Sequence, residues 1–429
     1  MSIPPLAPLK QIAPQPTVAD VAAETRSQWL ASSLPRRLKP GARVAVGVGS
    51  RGIANVATIV RASVDAIREL GFRPFLVAAM GSHGGATPEG QRELLAEYGI
   101  TAAAMGVELR TDMTAIQIGV NSWGEPVYWD KNAFEADGAV TVARIKPHTD
   151  FRGTFESGVL KMAVIGWGKR DGASQHHRWG LRGLRDMMPE TMKVILEKTR
   201  FLGGLAVLEN AHEQTAQIQF IDRDDLMTVE PPLLERARGL LGRLPFEQLD
   251  LLVIGEIGKN YSGAGIDPNV VGRLLVENAP EFESPKITRI CALDLSPESH
   301  GNGTGCGIAD LVPRKLIEAM DPVPTRINTL TACMLWRSKV PIDLPDDRTC
   351  IAEGIKTCWQ PNADQLRMAI IPNTLEVSEL WVSAPLVEEA KRNANLKVMG
   401  ELRALPFDGD GNLDQERLFP HCVRARRTK

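Results

Sequence analysis

The stretch from Thr141 to Lys161, TVARIKPHTDFRGTFESGVLK, leaves a run of strand-forming residues and goes straight into His148. It then crowds Asp150, Arg152, Glu156 and Lys161 into the next thirteen positions (161 − 148 = 13). A plain connection needs a turn and some polarity. This one carries acids, bases and a lysine, so it is the first place to look for chemistry. Histidine suits proton transfer because its unperturbed pKa of about 6.5 lets it give or take a proton near neutrality. Arginine suits a carboxylate because its planar fork donates two parallel hydrogen bonds.

Two more apolar runs end in the same way. VAVGV, Val44 to Val48, runs into Gly49, Ser50 and Arg51, and FLVAAM runs into Gly81, Ser82 and His83. A lone histidine at a strand end is more often a hydrogen-bonded structural residue. Two of them in short loops, both accompanied by an Arg, describe a small hydroxy or keto acid gripped by Arg51 and worked on by His83 and His148.

The elements that must hold these loops are an alternation of short β-branched runs with longer segments of helical character, the pattern of a parallel sheet covered by helices. Expected strands are Val44 to Val48, Arg73 to Met80 and Ala139 to Ile145, with helices over Ile53 to Leu70 and Pro88 to Tyr98. In an open α/β sheet, ligands bind beyond the carboxyl ends of the strands, so all three loops should face one cleft. After the charged segment from Pro231 to Leu249 the alternation resumes, with strands at 251–257, 290–295, 367–372 and 379–382 and a helix near Leu311 to Met320. We therefore expect an α/β protein of two domains, each a mainly parallel sheet flanked by helices, with the active-site cleft between them. The expected bounds are 1–245 for a catalytic and cofactor-binding domain, 246–404 for a domain closing the cleft, and 405–429 for a tail packing on the first domain.

Between Lys161 and the pair His176 and His177 lies IGWGKRDGA, whose Gly166, Gly168 and Lys169 could offer backbone amides and charge to a phosphate. A lysine can anchor a cofactor covalently, and a neutral imidazole is a common metal ligand. The six cysteines, at 291, 306, 333, 350, 358 and 422, have neither CxxC pairs nor regular spacing, so neither a zinc site nor a disulfide framework is encoded. Cys306, in HGNGTGCG beside His300, reads as a packed thiol in a glycine-rich turn.

The 429 residues exceed one ordinary core, and 43% hydrophobic with 24% charged residues describes a globular protein. A net charge of −2 gives no electrostatic case for nucleic acid, and no apolar run reaches the length that spans a bilayer. The start, MSIPPLAPLKQIAPQPT, lacks the apolar core of a secretion signal, so a cytoplasmic location is expected. The sequence does not define an oligomeric state.

At these residues the chain resembles the lactate racemase family, which uses a nickel-pincer nucleotide: a pyridinium mononucleotide carrying nickel in a sulfur–carbon–sulfur clamp and tethered through a lysine. GSRG at 49–52 resembles the family's substrate-binding motif, which implies Arg51 on the substrate carboxylate and Ser50 beside the cofactor. MGSHGGATPEG at 80–90 and IKPH at 145–148 resemble the motifs of its two catalytic histidines, implying His83 and His148. SGVLKMAVIG at 157–166 resembles the tether segment, implying Lys161, and the family's spacing to the nickel ligand (177 − 161 = 16) implies His177. The resemblance covers most of the first domain and thins in the second. It implies an isomerase, a racemase or epimerase of a 2-hydroxy acid.

The chain also departs from the family. Val48 stands where the racemases place an Asp, and the His148 to Lys161 spacing is longer. In GKNYSGAGIDPNVVGR at 258–273 a substrate-contacting Gln and Lys are unmatched, so Lys259 and Arg273 are the candidate substitutes, with Asp267 and Asn269 holding the loop. These differences point to a substrate other than lactate. Two other readings of the same residues stay open: a divalent-metal hydrolase or lyase using His83, His148 and His177, and a non-catalytic binder of a nucleotide or small acid.

Overall fold

Two runs of strand and helix, one on either side of residue 241, build two α/β units. One is 15–241; the other joins 242–429 to 1–14. The structure is a computed structural model and describes residues 2–49 and 52–422. Ser50 and Arg51 therefore lie outside the described residues.

In the unit 15–241, six strands lie in the order Leu109–Arg110, Arg73–Ala78, Arg43–Val48, Gly138–Arg144, Phe201–Glu209, Thr215–Asp222. The first five are parallel and the last is antiparallel to its neighbour. Runs such as VAVGV are apolar throughout because both faces are covered. On one face Val44, Val46 and Val48 pack with Ile59, Val60 and Val64 of the helix Val56–Glu69. That helix follows the 3.6-residue period, and Gly71, at φ +85°, turns the chain away after it.

The opposite face is built from small residues. Ala45, Ala139 and Ala143 lie there under Trp129, Trp167 and Met188. At Gly47 a Cβ would come within 2.3 Å of the Trp167 ring, so the glycine is what lets the indole lie flat against the strand. Trp167 closes the helical segment that carries Lys161, so small residues in the sheet set how deep that segment sits.

In the other unit, eight strands lie in the order Ile342–Leu344, Leu311–Pro313, Lys286–Ala292, Gln248–Ile254, Met368–Ile371, Glu379–Val382, Ala7–Gln11, Leu396–Val398. The first five are parallel and the remaining pairings antiparallel. The proline-rich start thus supplies an internal strand. The expected helix at 311–320 begins as a strand, because Leu311 completes the sheet against Cys291 and Ile342, and only Arg314–Glu318 is helical.

The tail expected against the first domain belongs instead to this second unit through its described residues. Leu405, Leu413, Leu418 and Phe419 bury themselves with Leu251, Val253 and Trp381, whose indole N–H donates to the Leu418 carbonyl at 3.0 Å. Among the described residues no helix is long and apolar enough to cross a membrane.

Candidate functional site

The chain order across the six-stranded sheet reverses between Arg43–Val48 and Gly138–Arg144. From the first of these strands the chain adds 73–78 and then 109–110 on one side, and only afterwards 138–144 on the other. Such a reversal splays the loops at the carboxyl ends of the two strands and opens a crevice there. The loops at that end begin at Gly49, Ala79 and Ile145.

All three meet one turn of chain, Lys161 to Gly166. A Cβ on Gly49 would come within 2.3 Å of Met162 Cε, and the Gly81 N–H donates to the Gly166 carbonyl at 3.1 Å. His148 Nε2 lies 2.6 Å from Lys161 Nζ. The turn is wider than an α-helical one, with Trp167 N–H donating to the Met162 carbonyl five residues back at 3.0 Å. Single wide turns of this kind often occur at functional sites.

His148 is fixed by its own loop. The Asp150 N–H donates to Nδ1 at 3.1 Å, and the ring stacks on Phe151 with centroids 4.6 Å apart. Because Nδ1 accepts, the ring hydrogen belongs on Nε2, on the line to Lys161 Nζ. The contact joins two proton-binding nitrogens through one hydrogen.

Behind the ring, the Glu156 side chain is wholly buried. It accepts the His148 N–H at 2.5 Å, the Gly153 N–H at 3.0 Å and Arg238 Nη2 at 2.5 Å. Arg152 Nη1 donates to the His148 carbonyl at 3.0 Å. The long His148 to Lys161 connection is therefore folded around one carboxylate. The sequence placed Glu156 in a suggestive cluster without a role; its partner Arg238, 82 positions on, gave no local signal.

A second buried carboxylate holds Lys161. The short helix Val159–Lys161 starts at Gly158, and in place of a local cap the Leu160 N–H donates to Glu230 Oε2 at 3.0 Å. A Cβ at Gly158 would reach within 2.3 Å of Glu230 Oε1, so a side chain there would displace this carboxylate. Burial pushes Glu230 up to about 7, against the lowering pull of the Leu160 and Val159 N–H groups. A carboxyl raised in the folded state binds its proton more tightly there than in the unfolded chain. Its stabilisation is full below about 4.5 and is lost as pH rises through 7, a change of about 3 kcal/mol. Glu230→Gln is expected to remove this slope. Urea denaturation midpoints at pH 4.5 and pH 8 should show the variant gaining on the parent by that amount as pH rises, and parallel curves would refute the assignment.

His177 and His176 differ in what their rings can offer. His176 is buried, with Nδ1 2.8 Å from the Gly172 carbonyl and Nε2 3.1 Å from Thr191 Oγ1, and burial lowers it to about 4. Both its nitrogens are in use. His177 is half-buried, and its Nδ1 lies 2.7 Å from the Ala173 carbonyl, which places the ring hydrogen there and the lone pair on Nε2. Burial, and after it the charge of Lys161, hold His177 below the ordinary imidazole value. A neutral imidazole with its other nitrogen locked by a carbonyl is the usual state of a metal-ligating histidine.

The glycine-rich loop has a different use from the expected one. Lys169 is fully buried, donates to the Ala78 carbonyl at 2.7 Å and lies 2.9 Å from Asp130 Oδ2. Its charge is committed to Asp130, not held out for a phosphate. Cβ atoms on Gly166 and Gly168 would come within 2.5 Å of the Ala79 and Val164 carbonyls, so these glycines serve close backbone packing.

His83 is exposed in the turn after the strand Arg73–Ala78, where its carbonyl accepts Gln91 Nε2 at 3.2 Å. Val48 is 1% exposed in an apolar layer, where an Asp would be buried among aliphatic side chains. Glu209 joins the ends of neighbouring strands, accepting Arg144 Nη1 at 2.7 Å and the Ala54 N–H at 2.6 Å.

In the second unit, Arg273 is held by Asp310 at 3.0 Å and by the Ile308 carbonyl at 2.8 Å, and Lys259 Nζ donates to the Gly263 carbonyl. Both cations are tied down inside their own unit. Asp267 caps the helix Pro268–Val271 through the Asn269 N–H at 2.9 Å. Cys306 is buried, with burial pushing its thiol up to about 11, while His300 is exposed. Among the described residues no three or more His, Cys, Asp or Glu side chains gather as a metal site.

No protein-family model matches this sequence, and no curated protein sequence matches it either. Solved structures do. The lactate racemase apoprotein from Thermoanaerobacterium thermosaccharolyticum matches over 87% of this chain and 99% of its own, with a TM-score of 0.51 and 12% identity. A protein from Thermotoga maritima matches over 63% of this chain and 70% of its own, with a TM-score of 0.44 and 14% identity. The chain has the α/β fold of the racemase apoprotein.

Proposed function

We propose that this chain is an isomerase that racemises or epimerises a 2-hydroxy acid, using a nickel-pincer nucleotide held by Lys161 and His177. The observation that carries the proposal is the 2.6 Å contact between Lys161 Nζ and His148 Nε2 at the point where the sheet reverses its strand order. The fold likeness to a lactate racemase apoprotein supports it.

The residues fit such a group. His177 would hold the nickel, since it presents a neutral ring with the lone pair on Nε2. Lys161, as a neutral amine, would be the nucleophile a covalent tether requires. The bound nucleotide supplies the hydride acceptor that the protein's side chains lack.

The chain's own residues handle protons and orientation. His148, its ring held by the Asp150 N–H, would exchange a proton with the substrate hydroxyl. His83 would serve the opposite enantiomer, whose hydroxyl is presented from the other side. Arg51 would grip the carboxylate, so that the planar keto acid keeps its place through both half-reactions.

The test is the intact mass of the protein made in a host that also makes the cofactor, followed by a screen of 2-hydroxy acids for loss of optical rotation. An adduct mapping to Lys161 with one nickel, and turnover of at least one such acid, is the expected result. An unmodified mass from a host known to make the cofactor would overturn the tether and leave the plain-metal and binding-protein readings.

A further inference from the structure

The helix Pro322–Ala332 is amphipathic in the wrong direction. Its buried side holds Thr325 and Thr329, each 7% exposed, while Val323, Ile327 and Leu330 stand 49%, 60% and 61% exposed. These three recur at i, i+4 and i+7 and share one face. The inward hydroxyls are committed: Thr325 Oγ1 accepts the Gly303 N–H at 3.0 Å and donates to the Asp321 carbonyl at 2.7 Å, and Thr329 Oγ1 bonds to Ser338 Oγ. The helix is thus locked to its own unit by its polar face.

Large apolar side chains also stand exposed in the segment that follows the helix. Leu335 and Trp336 are 52% and 41% exposed, and Val340 and Ile342 are 59% and 69% exposed. Seven of the fourteen large hydrophobic side chains exposed among the described residues fall within residues 323–342. Scattered exposed apolar residues are ordinary, but a concentration of this kind marks an interaction site.

We propose that this face is covered by a second copy of the chain, in a two-fold dimer whose axis passes near Ile327. Residues 322–342 contain no acidic residue, and of their three cations Arg337 is buried on the Leu274 carbonyl and Lys339 lies over the Trp336 ring. That leaves Arg326 alone, too little charge to select a charged partner or an anionic surface. Seven half-exposed large side chains amount to several hundred Å² of apolar surface, close to the ~800 Å² each partner gives to a standard interface. An apolar, nearly uncharged face is the composition of homodimer interfaces, and two-fold dimers are the commonest oligomers. A helix face presenting Val323, Ile327 and Leu330 matches its own copy laid antiparallel across the axis.

The test is the mass of the full chain in solution by sedimentation over a concentration series, for the parent and for Ile327→Glu, Leu330→Glu and Val120→Glu. The parent is expected at twice the 46.8 kDa of one chain. Ile327→Glu and Leu330→Glu should each weaken the dimer at least about 30-fold, the effect of losing one interface hot spot. Val120, 55% exposed in the other unit, serves as the control that leaves the dimer intact. Circular dichroism and melting temperature check that each variant is folded, and the two glutamates lie at separate positions so that one folding failure does not end the test. A parent that stays monomeric at every concentration overturns the proposal. So does a dimer that both folded interface variants retain, or one that Val120→Glu dissociates equally.

Discussion

Alanine at Lys161 is expected to abolish both the covalent adduct and racemisation in protein made alongside the cofactor, whereas alanine at His148 keeps the adduct and loses turnover. Lys161 would hold the cofactor, so its removal deletes the hydride acceptor and the rate falls to background. His148 sits 2.6 Å from Lys161 Nζ and, in the proposed reaction, would act on protons, so its loss is expected to cost on the order of 10² to 10⁴ in rate. Intact mass and polarimetry on the same preparations separate the two effects. The reading fails if Lys161→Ala still carries nickel-bearing added mass, or if His148→Ala turns over at the parent rate. Equal loss of adduct in both variants would instead make His148 a residue needed for loading.

The largest effect on stability is expected at Glu156. Alanine there removes the buried carboxylate that accepts Arg238 Nη2 and the N–H groups of His148 and Gly153, with Glu235 still beside Arg238 Nη1. Breaking a buried pair from one side costs roughly 3 kcal/mol or more. For a unit of this size, that corresponds to a fall in melting temperature of about 6 to 12 °C. Glu156→Gln keeps the shape and an acceptor while removing the charge, and should fall between parent and alanine. A melting temperature within a degree of the parent for Glu156→Ala would show that the His148 loop is held by something other than this carboxylate.

The α/β class was legible because VAVGV, RPFLVAAM and AVTVARI are apolar throughout, as strands buried on both faces must be. That the loops beginning at Gly49, Ala79 and Ile145 leave one end of the sheet followed from the parallel order. What stayed hidden was set by distant partners. Lys169 looked like a phosphate-loop lysine because three glycines surround it, but Asp130, 39 positions earlier, decides its role. Glu230 lies just before two prolines in a segment that read as a charged spacer, and its contact with Leu160 spans 70 positions. The wide turn at Met162 to Gly166 has no residue signature. The strand Ala7–Gln11 was missed because it lies in a proline-rich start, and only partners beyond residue 378 make it a strand.

That strand also sets a timetable for biosynthesis. Gln11 leaves the ribosome 368 residues before Glu379, the first residue of the strand that pairs with it (379 − 11 = 368). At about 5–20 residues per second, the delay is on the order of 20 to 70 seconds. Throughout that time the segment has no sheet to join, while everything needed for 15–241 to fold has already been made. The unit holding His148 and Lys161 is therefore expected to mature first, during translation, and the other to close around a strand that has waited longest. A nascent chain arrested near residue 300 should already protect the His148 loop from protease while residues 7–11 are still cleavable.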